Sequence, residues 1–154
     1  MANVFDPRWD EEYDFPPLTG RYALVGKQAG AERLGASVYE IPPGAVVSPM
    51  HVHHANEEMI VVLAGTPTLR AADGRRELGP GDVVPCLRGA RGAHRVENNS
   101  QEPVRVLIVS TMVEPDVVEH LDTDKVVTSA DEGLALTFRK QDAVDQFLGE
   151  IDGD

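Results

Sequence analysis

Between residues 35 and 113, apolar and polar residues alternate in short runs that are separated by Gly, Pro, Asn or Asp. Runs of this kind are typical of β-strands, whose side chains point to the two faces of a sheet in turn. The runs are ASVYEI (36–41), EEMIVVLAG (57–65), TLRAADGRREL (68–78), GPGDVVPCL (79–87), AHRVEN (93–98) and PVRVLIVSTMV (103–113). Asp73-Gly74 inside the third run predicts a tight hairpin. Many short strands at close spacing predict an all-β sandwich or a small barrel.

The first 20 residues are rich in aromatic side chains. They contain four of the eight aromatic residues of the chain, namely Phe5, Trp9, Tyr13 and Phe15. Exposed apolar surface costs about 25 cal/mol per Å². We therefore expect this segment to be an arm that docks on its own barrel or on a partner subunit. A disordered tail is the alternative.

A single helix is predicted, near the C-terminus. In the segment KQDAVDQFLGE (140–150), one helical stripe contains Val144, Phe147 and Leu148, and Gly149 is a typical helix stop. We therefore divide the chain into an N-terminal arm (1–20), a β-barrel domain (21–113) and an acidic C-terminal extension with a short helix (114–154).

The charge of the chain is uneven. The net charge is −12, and residues 1–20 and 114–154 together contain 17 of the 26 acidic residues but only 4 of the 14 Lys and Arg residues. The middle is nearly neutral, which argues against binding to nucleic acid or to anionic membrane surfaces. There is no apolar stretch long enough to span a membrane, no signal-like segment and only one cysteine, Cys86. These features predict a cytoplasmic protein.

The segment PMHVHHANEEM (49–59) contains three of the five histidines. If the chain is extended here, His51 and His53 project to one side and His54 projects to the other. A turn after them would bring a glutamate from the next run back towards the histidine pair. A third imidazole could come from His94, in another strand-like run. Such a set would bind a metal ion and leave positions open for a substrate or dioxygen.

Each of these residues has a simpler interpretation by itself. A histidine pair of this spacing also occurs on solvated strands, Glu57-Glu58 can be a solvated strand start, and a lone His94 can be structural. Their combination inside an all-β pattern favours a metal site, because several independent coincidences would otherwise be needed.

The spacing of these residues resembles that of the cupins, small β-barrels of the jelly-roll or double-stranded β-helix type with a metal ion inside. The two cupin motifs are G-x5-H-x-H-x3,4-E-x6-G and G-x5-P-x-G-x2-H-x3-N. The chain is similar to the first motif from Gly44 to Gly65 and to the second from Gly81 to Asn98. The resemblance covers about residues 35–112. It extends to single-domain bacterial cupins that have segments like PDVVEH and FRKQDAVDQF.

This resemblance implies a metal site made of His51, His53, Glu58 and His94. The motif spacing to the glycine at the end of the run selects Glu58 over Glu57. The ion would be one divalent transition metal (Fe, Mn, Ni, Zn or Cu), because three imidazoles disfavour Ca²⁺. We expect its affinity to decrease below about pH 6.5, since the histidines must be neutral to bind it.

The chain departs from the motifs at three positions. Gly44 lies one residue too far from His51, and Leu87 stands where proline is usual. Four residues rather than two separate Gly89 from His94. The third departure adds two residues to the loop that leads to His94. We expect this loop to alter the rim of the pocket.

Other polar residues have weaker signals. Arg88 and Arg91 could bind an anionic group of a substrate, but solvated surface arginines are the simpler interpretation. Cys86 is expected to be a small buried residue rather than a catalytic thiol. Asn98 is expected to be structural within a turn, and His120 has no local partner in the acidic segment.

The resemblance implies metal-centred chemistry on a small molecule, either dioxygenase-like or isomerase-like. A non-catalytic small-molecule-binding or sensor protein and a structural or storage protein are the alternatives, because one fold can carry many functions. The arm and the exposed sheet of such a barrel predict a homodimer.

Overall fold

A computed structural model describes residues 1–130 and 133–150 of the chain. In this part, strands dominate, and helical structure is limited to a short helix α1 (Val25–Ala29) and brief 3₁₀ turns such as Ala90–Gly92 and Lys140–Asp142. The strands are β1 (Glu11–Phe15), β2 (Leu18–Ala23), β3 (Gly35–Ile41), β4 (His51–His53), β5 (Glu58–Ala64), β6 (Thr68–Ala71), β7 (Gly74–Glu77), β8 (Val83–Cys86), β9 (His94–Glu97), β10 (Val104–Ser110), β11 (Asp116–His120), β12 (Lys125–Ala130) and β13 (Leu134–Arg139).

The strands form two antiparallel sheets. One has six strands in the order β1-β2-β3-β10-β5-β8, and the other has seven in the order β13-β12-β11-β4-β9-β6-β7. Consecutive strands often lie in different sheets, as in a jelly roll. The all-β jelly-roll barrel expected from the sequence is therefore confirmed. The hairpin at Asp73 is also confirmed, with Ala72 and Asp73 as its two turn residues.

The core lies between the two sheets. Its fully buried side chains include Ile60 and Val62 of β5, Leu69 of β6, Val96 of β9 and Val106 of β10. Alternate residues of a strand face the same side, so Glu58, which precedes Ile60 by two, also faces this interior. A polar site is thus placed at one end of an apolar core.

The first residues of the chain cover the outer face of the six-stranded sheet. Trp9 packs with a second apolar cluster that contains Val38, and the guanidinium groups of Arg21 and Arg105 lie 4.2 and 5.4 Å from the centre of its ring. Both arginines also donate hydrogen bonds to the Glu40 carboxylate. The arm therefore docks on its own barrel, which was the first of the expected alternatives.

The C-terminal segment contributes strands to the seven-stranded sheet. Strand β11 pairs with β4, so that Val118 lies opposite His53 and His120 lies opposite His51. Strands β12 and β13 continue the sheet outwards. Residues far from the two histidines in sequence thus become their neighbours.

The helix predicted over residues 140–150 is present only as a 3₁₀ turn at Lys140–Asp142. Ala143 is extended, with φ −66° and ψ 137°, and residues 146–150 form turns rather than an α-helix. Its apolar stripe is more than half exposed at Val144, Phe147 and Leu148. A short helix depends on packing of its apolar face, and this stripe packs against little of the described chain. No helix of the described residues is long and apolar enough to cross a membrane.

Candidate metal centre

Strand β4 places two histidines on the inner face of the barrel. His51 is 8% exposed and His53 is partly exposed, and their ring centres are 4.9 Å apart. The neighbouring strand β9 begins with His94, which pairs with His51 in register and is 3% exposed. Glu58 begins β5 in the opposite sheet. The four residues therefore meet across the gap between the sheets.

The three imidazoles face one carboxylate oxygen. Oε2 of Glu58 lies 3.1 Å from Nε2 of His94, 3.5 Å from Nε2 of His53 and 4.0 Å from Nε2 of His51. The ligand atoms of His51, His53 and Glu58 all lie within 4.8 Å of one another, and His94 joins this group through Glu58. The structure thus brings together all four residues that the sequence singled out.

The other ring nitrogen of each histidine has its own partner. Nδ1 of His51 lies 2.8 Å from the carbonyl oxygen of Pro49, and Nδ1 of His94 lies 2.8 Å from that of Gly92. A carbonyl oxygen can only accept, so each Nδ1 carries the hydrogen. In a neutral ring, Nε2 then has a free lone pair, and this lone pair faces the centre of the group.

These residues fit a metal ion. Ligand atoms about 2.1 Å from a common ion are separated by roughly 3.0 to 4.2 Å in octahedral geometry, and the three separations above lie in this range. Nε2 of His94 is buried and makes no well-aligned hydrogen bond with the described residues. A buried polar atom without a partner is costly, and a bound ion would satisfy it. Three nitrogens and one oxygen are a donor set for a divalent transition metal.

Asp116 contacts the candidate centre through His53 and is absent from the residues that the sequence motifs indicated. Its Oδ2 accepts hydrogen bonds from Nδ1 of His53 at 2.6 Å and from Nδ2 of Asn56 at 2.8 Å. Its Oδ1 accepts from the backbone N–H groups of Ala55 and Val117. Asp116 is 3% exposed. It fixes the ring of His53 in the same way that the carbonyls fix the other two rings, but with a charged acceptor.

The sequence contained only a weak signal for Asp116. It begins the apolar run DVVEH, 63 residues after His53. The β4–β11 pairing brings the two together, and neither cupin motif extends that far.

The titration of the site reflects these contacts. Burial, followed by the positive charge of nearby His94, lowers the pKa of His51 to about 4. Burial also lowers the pKa of His94, but its nearness to the Cys86 thiol and to the Glu58 carboxylate outweighs this and raises the pKa to about 10. Burial raises the pKa of Glu58, yet the histidines around it lower the pKa below its usual value. The raised pKa of His94 and the lowered pKa of Glu58 favour a protonated imidazole beside an ionised carboxylate at neutral pH.

A cavity of about 280 Å³ lies beside His53 and Glu58. We call it the Tyr39 cavity, because Tyr39 of the six-stranded sheet lines it. Ser37, Ser110 and Ser129 also line it, and Glu114 lies at its exposed edge. A small molecule in this cavity would lie next to the four-residue centre.

A second cavity, of about 360 Å³, lies on the side of His94. We call it the Cys86 cavity, and Leu69, Arg76, Arg91 and His94 line it with Cys86. Cys86 is 4% exposed and lies opposite Glu58 in the β5–β8 pairing. It is therefore close to the centre, which the sequence did not indicate.

Several other candidates lie away from the centre. His54 is exposed, and its Nε2 pairs with Oε1 of Glu119 at 2.6 Å. Arg88 and Glu57 are exposed and line neither cavity. Asn98 is fully buried, and its side-chain nitrogen donates to the carbonyl oxygens of Ile41 and Glu102.

The loop that leads to His94 is tightly packed. An added Cβ on Gly92 would lie 1.5 Å from the carbonyl oxygen of Leu87. Only glycine fits there, so the longer loop is held closely despite its two additional residues. His120 lies opposite His51 on the next strand and is partly exposed.

Comparison with known proteins gives a family and several similar folds. Residues 37–110 match the family described as a cupin domain. A structure from Silicibacter pomeroyi, described as a sugar phosphate isomerase from a cupin superfamily, has a TM-score of 0.81 and 21% identity, with 93% of this chain and 94% of that chain covered. No curated protein is significantly similar to this chain in sequence.

Two further structures are similar over most of the chain. One from Acidithiobacillus ferrooxidans, described provisionally as a sugar phosphate isomerase, has a TM-score of 0.79 and 24% identity, with 89% of this chain and 86% of that chain covered. The polyketide cyclase RemF from Streptomyces resistomycificus has a TM-score of 0.59 and 23% identity, with 75% and 82% covered. At these identities, the similarity shows the fold alone.

Replacing Asp116 should weaken metal binding although Asp116 does not face the centre. In Asp116→Asn, the charged acceptor for Nδ1 of His53 is lost, so the ring is less well oriented and less basic. We expect the affinity for Zn²⁺ to decrease by about 10- to 100-fold in calorimetry. Glu119→Gln is the matched control, because it removes one carboxylate charge from the same strand. Equal affinities of Asp116→Asn and the unmodified protein would contradict this role.

Metal binding should release a proton at neutral pH. Because the pKa of His94 is raised to about 10, the metal-free site is protonated at pH 7.5, and the ion must displace that proton. Affinity should therefore rise about tenfold per pH unit between pH 7 and 9, instead of levelling off above pH 6.5. The pKa of His51, lowered to about 4, adds no proton in this range. Calorimetry in buffers of different ionisation enthalpy counts the protons, and a count near zero at pH 7.5 would rule out this account.

Proposed function

We propose that this chain, whose residues 37–110 match the cupin domain family, binds one divalent transition metal ion and carries out metal-centred chemistry on a small molecule. His51, His53, Glu58 and His94 would hold the ion, which would be Fe, Mn, Ni, Zn or Cu. The observation that carries the proposal is the convergence of three Nε2 atoms on one oxygen of Glu58. Such an ion would supply Lewis-acid or oxygen-binding chemistry to a small molecule beside these four residues.

The side chains around the centre support a reaction on a polar molecule. Tyr39 of β3 and Ser110 of β10 present hydroxyl groups from the six-stranded sheet, and Ser129 presents one from the other sheet. These groups can orient a bound molecule by hydrogen bonds. Burial, together with the negative charge of Glu58, raises the pKa of Tyr39. Tyr39 therefore keeps its proton and can donate a hydrogen bond to an oxygen of the substrate.

Between the two reaction types, an isomerase-like reaction has more support. The hydroxyl-lined cavity suits a carbonyl compound with several hydroxyl groups, and two proteins of this fold are described as sugar phosphate isomerases. A dioxygenase-like reaction uses the same four residues and is distinguished by oxygen consumption.

Binding without turnover is the alternative function, and one observation favours it. Asp116, the most buried carboxylate beside the Tyr39 cavity, is committed to His53, Asn56 and two backbone N–H groups. It has no lone pair directed at a substrate proton. A sensor or carrier needs no such base.

Turnover by the metal-loaded protein tests the proposal. Samples loaded with Fe²⁺, Mn²⁺, Ni²⁺ or Zn²⁺ would be assayed for interconversion of aldoses and ketoses and for oxygen uptake. We expect isomerisation with at least one ion, and Glu58→Gln should lose the metal and the activity together. Glu57→Gln is the control, because it changes the neighbouring exposed carboxylate. If the metal-loaded protein binds sugars without any turnover, the proposed enzymatic function is wrong and the binding function remains.

We also propose that the protein is a homodimer. β13 lies at the edge of the seven-stranded sheet, and its alternate residues Leu134, Leu136 and Phe138 are 55, 51 and 46% exposed. Apolar residues on an edge strand favour association. A second copy would cover them.

Light scattering tests the dimer directly. The mass in solution should be about twice the 16.7 kDa of one chain, and Leu136→Lys should halve it, because a charge on this face opposes its burial. Thr137→Lys, a neighbour on the other face of β13, should leave the mass unchanged. A monomeric mass of the unmodified protein at micromolar concentration would contradict the proposal.

A further inference from the structure

The Cys86 cavity has an apolar floor. Its buried lining residues include Leu69, Cys86 and Ala93, which are 1, 4 and 4% exposed. Ala71 and Val84 add partly buried apolar surface. The volume of about 360 Å³ equals that of roughly twelve water molecules in the liquid. Because burial of apolar surface is favourable, this floor suits the apolar part of a small molecule.

The mouth of the Cys86 cavity is charged. Asp73, Arg76 and Arg91 line it and are exposed. Both carboxylate oxygens of Asp73 accept hydrogen bonds from Nη1 of Arg76, at 3.0 and 3.3 Å, so these two charges offset each other. Within residues 1–130 and 133–150, Arg91 forms no ion pair with a carboxylate. The mouth therefore has one positive charge that this part of the chain does not balance.

The loop that adds two residues to the cupin motif holds Arg91 at this mouth. Arg91 is the middle residue of the 3₁₀ turn Ala90–Gly92. The turn packs so closely on the preceding backbone that only glycine fits at position 92, against the carbonyl oxygen of Leu87. Arg88 belongs to the same loop, but it is exposed and does not line the cavity. The structure therefore separates the two arginines that the sequence left equivalent.

We infer that the Cys86 cavity binds a small carboxylate with an apolar body, such as an arylalkyl acid, with the carboxylate on Arg91 and the apolar body on the buried floor. A guanidinium binds a carboxylate through two parallel hydrogen bonds, and one positive charge matches one negative charge. A sugar lacks the apolar body, and a phosphate monoester has more negative charge than one arginine balances. The inference goes beyond the proposed function, because this ligand lies on the side of His94 and needs no metal ion.

Three ligands test the two halves of this ligand class. Phenylacetate, phenylacetamide and acetate would be titrated by calorimetry into the metal-free and the Zn²⁺-loaded protein. We expect phenylacetate to bind to both samples. Phenylacetamide, which lacks the charge, and acetate, which lacks the apolar body, should bind about tenfold more weakly or worse. Equal affinities for phenylacetate and its amide, binding only to the Zn²⁺-loaded protein, or no binding of phenylacetate would overturn the inference.

Arg91→Gln tests whether Arg91 binds the carboxylate. The affinity for phenylacetate should decrease by about tenfold or more, because a hydrogen-bonded charge is lost, whereas the affinity for phenylacetamide should change little. Arg88→Gln is the matched control, since it removes an exposed arginine of the same loop that does not line the cavity. Equal effects of the two substitutions on phenylacetate binding would overturn the assignment to Arg91.

Cys86 reports where the ligand binds. It is the only cysteine of the chain and lines the cavity, so alkylation by iodoacetamide, followed by mass spectrometry, measures access to this site alone. With phenylacetate at about ten times its Kd, the alkylation rate of the metal-free protein should decrease by about tenfold. An unchanged rate would place the ligand elsewhere and overturn the inference. Such a failure would leave the proposed metal site standing, because calorimetry with Zn²⁺ alone tests that site.

Discussion

Three imidazole nitrogens face a single carboxylate oxygen across the gap between two sheets, and the rest of the barrel serves to keep them there. His51 and His53 come from β4, and Glu58 comes from the opposite sheet. A shift of one residue in the register of β4 would turn both histidines outwards. The apolar core beside them, including Ile60 and Val62, fixes the position of Glu58 by the same alternation of faces.

Burial of these polar groups has a cost, and the contacts around them show how it is offset. Each Nδ1 hydrogen has an acceptor: the carbonyl of Pro49, the carbonyl of Gly92 or the carboxylate of Asp116. Within the described part of the chain, the Nε2 atoms face the Glu58 carboxylate and one another. Burial, followed by the charge of His94, lowers the pKa of His51, whereas nearness to the Cys86 thiol and the Glu58 carboxylate outweighs burial and raises the pKa of His94. The centre is thus prepared to exchange a proton for a metal ion.

The sequence was sufficient for those parts of the site that lie close together along the chain. The spacing from Glu58 to Gly65 selected the inward glutamate, and the alternation within β4 separated His53 from His54. Asp116 could not be found in this way, because its link to His53 depends on the pairing of strands that are 63 residues apart. The helix expected around Phe147 does not form, because its local sequence pattern lacks a tertiary surface to pack against. Its local pattern was suitable, but the stripe is largely exposed and packs against little of the described chain.

X-ray absorption of the metal-loaded protein tests the four-residue metal site directly. We expect a first shell that contains three imidazole nitrogens and one carboxylate oxygen, at about 2.0 to 2.2 Å from the ion. In His94→Gln, the spectrum should show one imidazole fewer, whereas His54→Gln should leave it unchanged. A shell with fewer than three imidazoles in the unmodified protein, or one that changes with His54 and not with His94, would contradict the account.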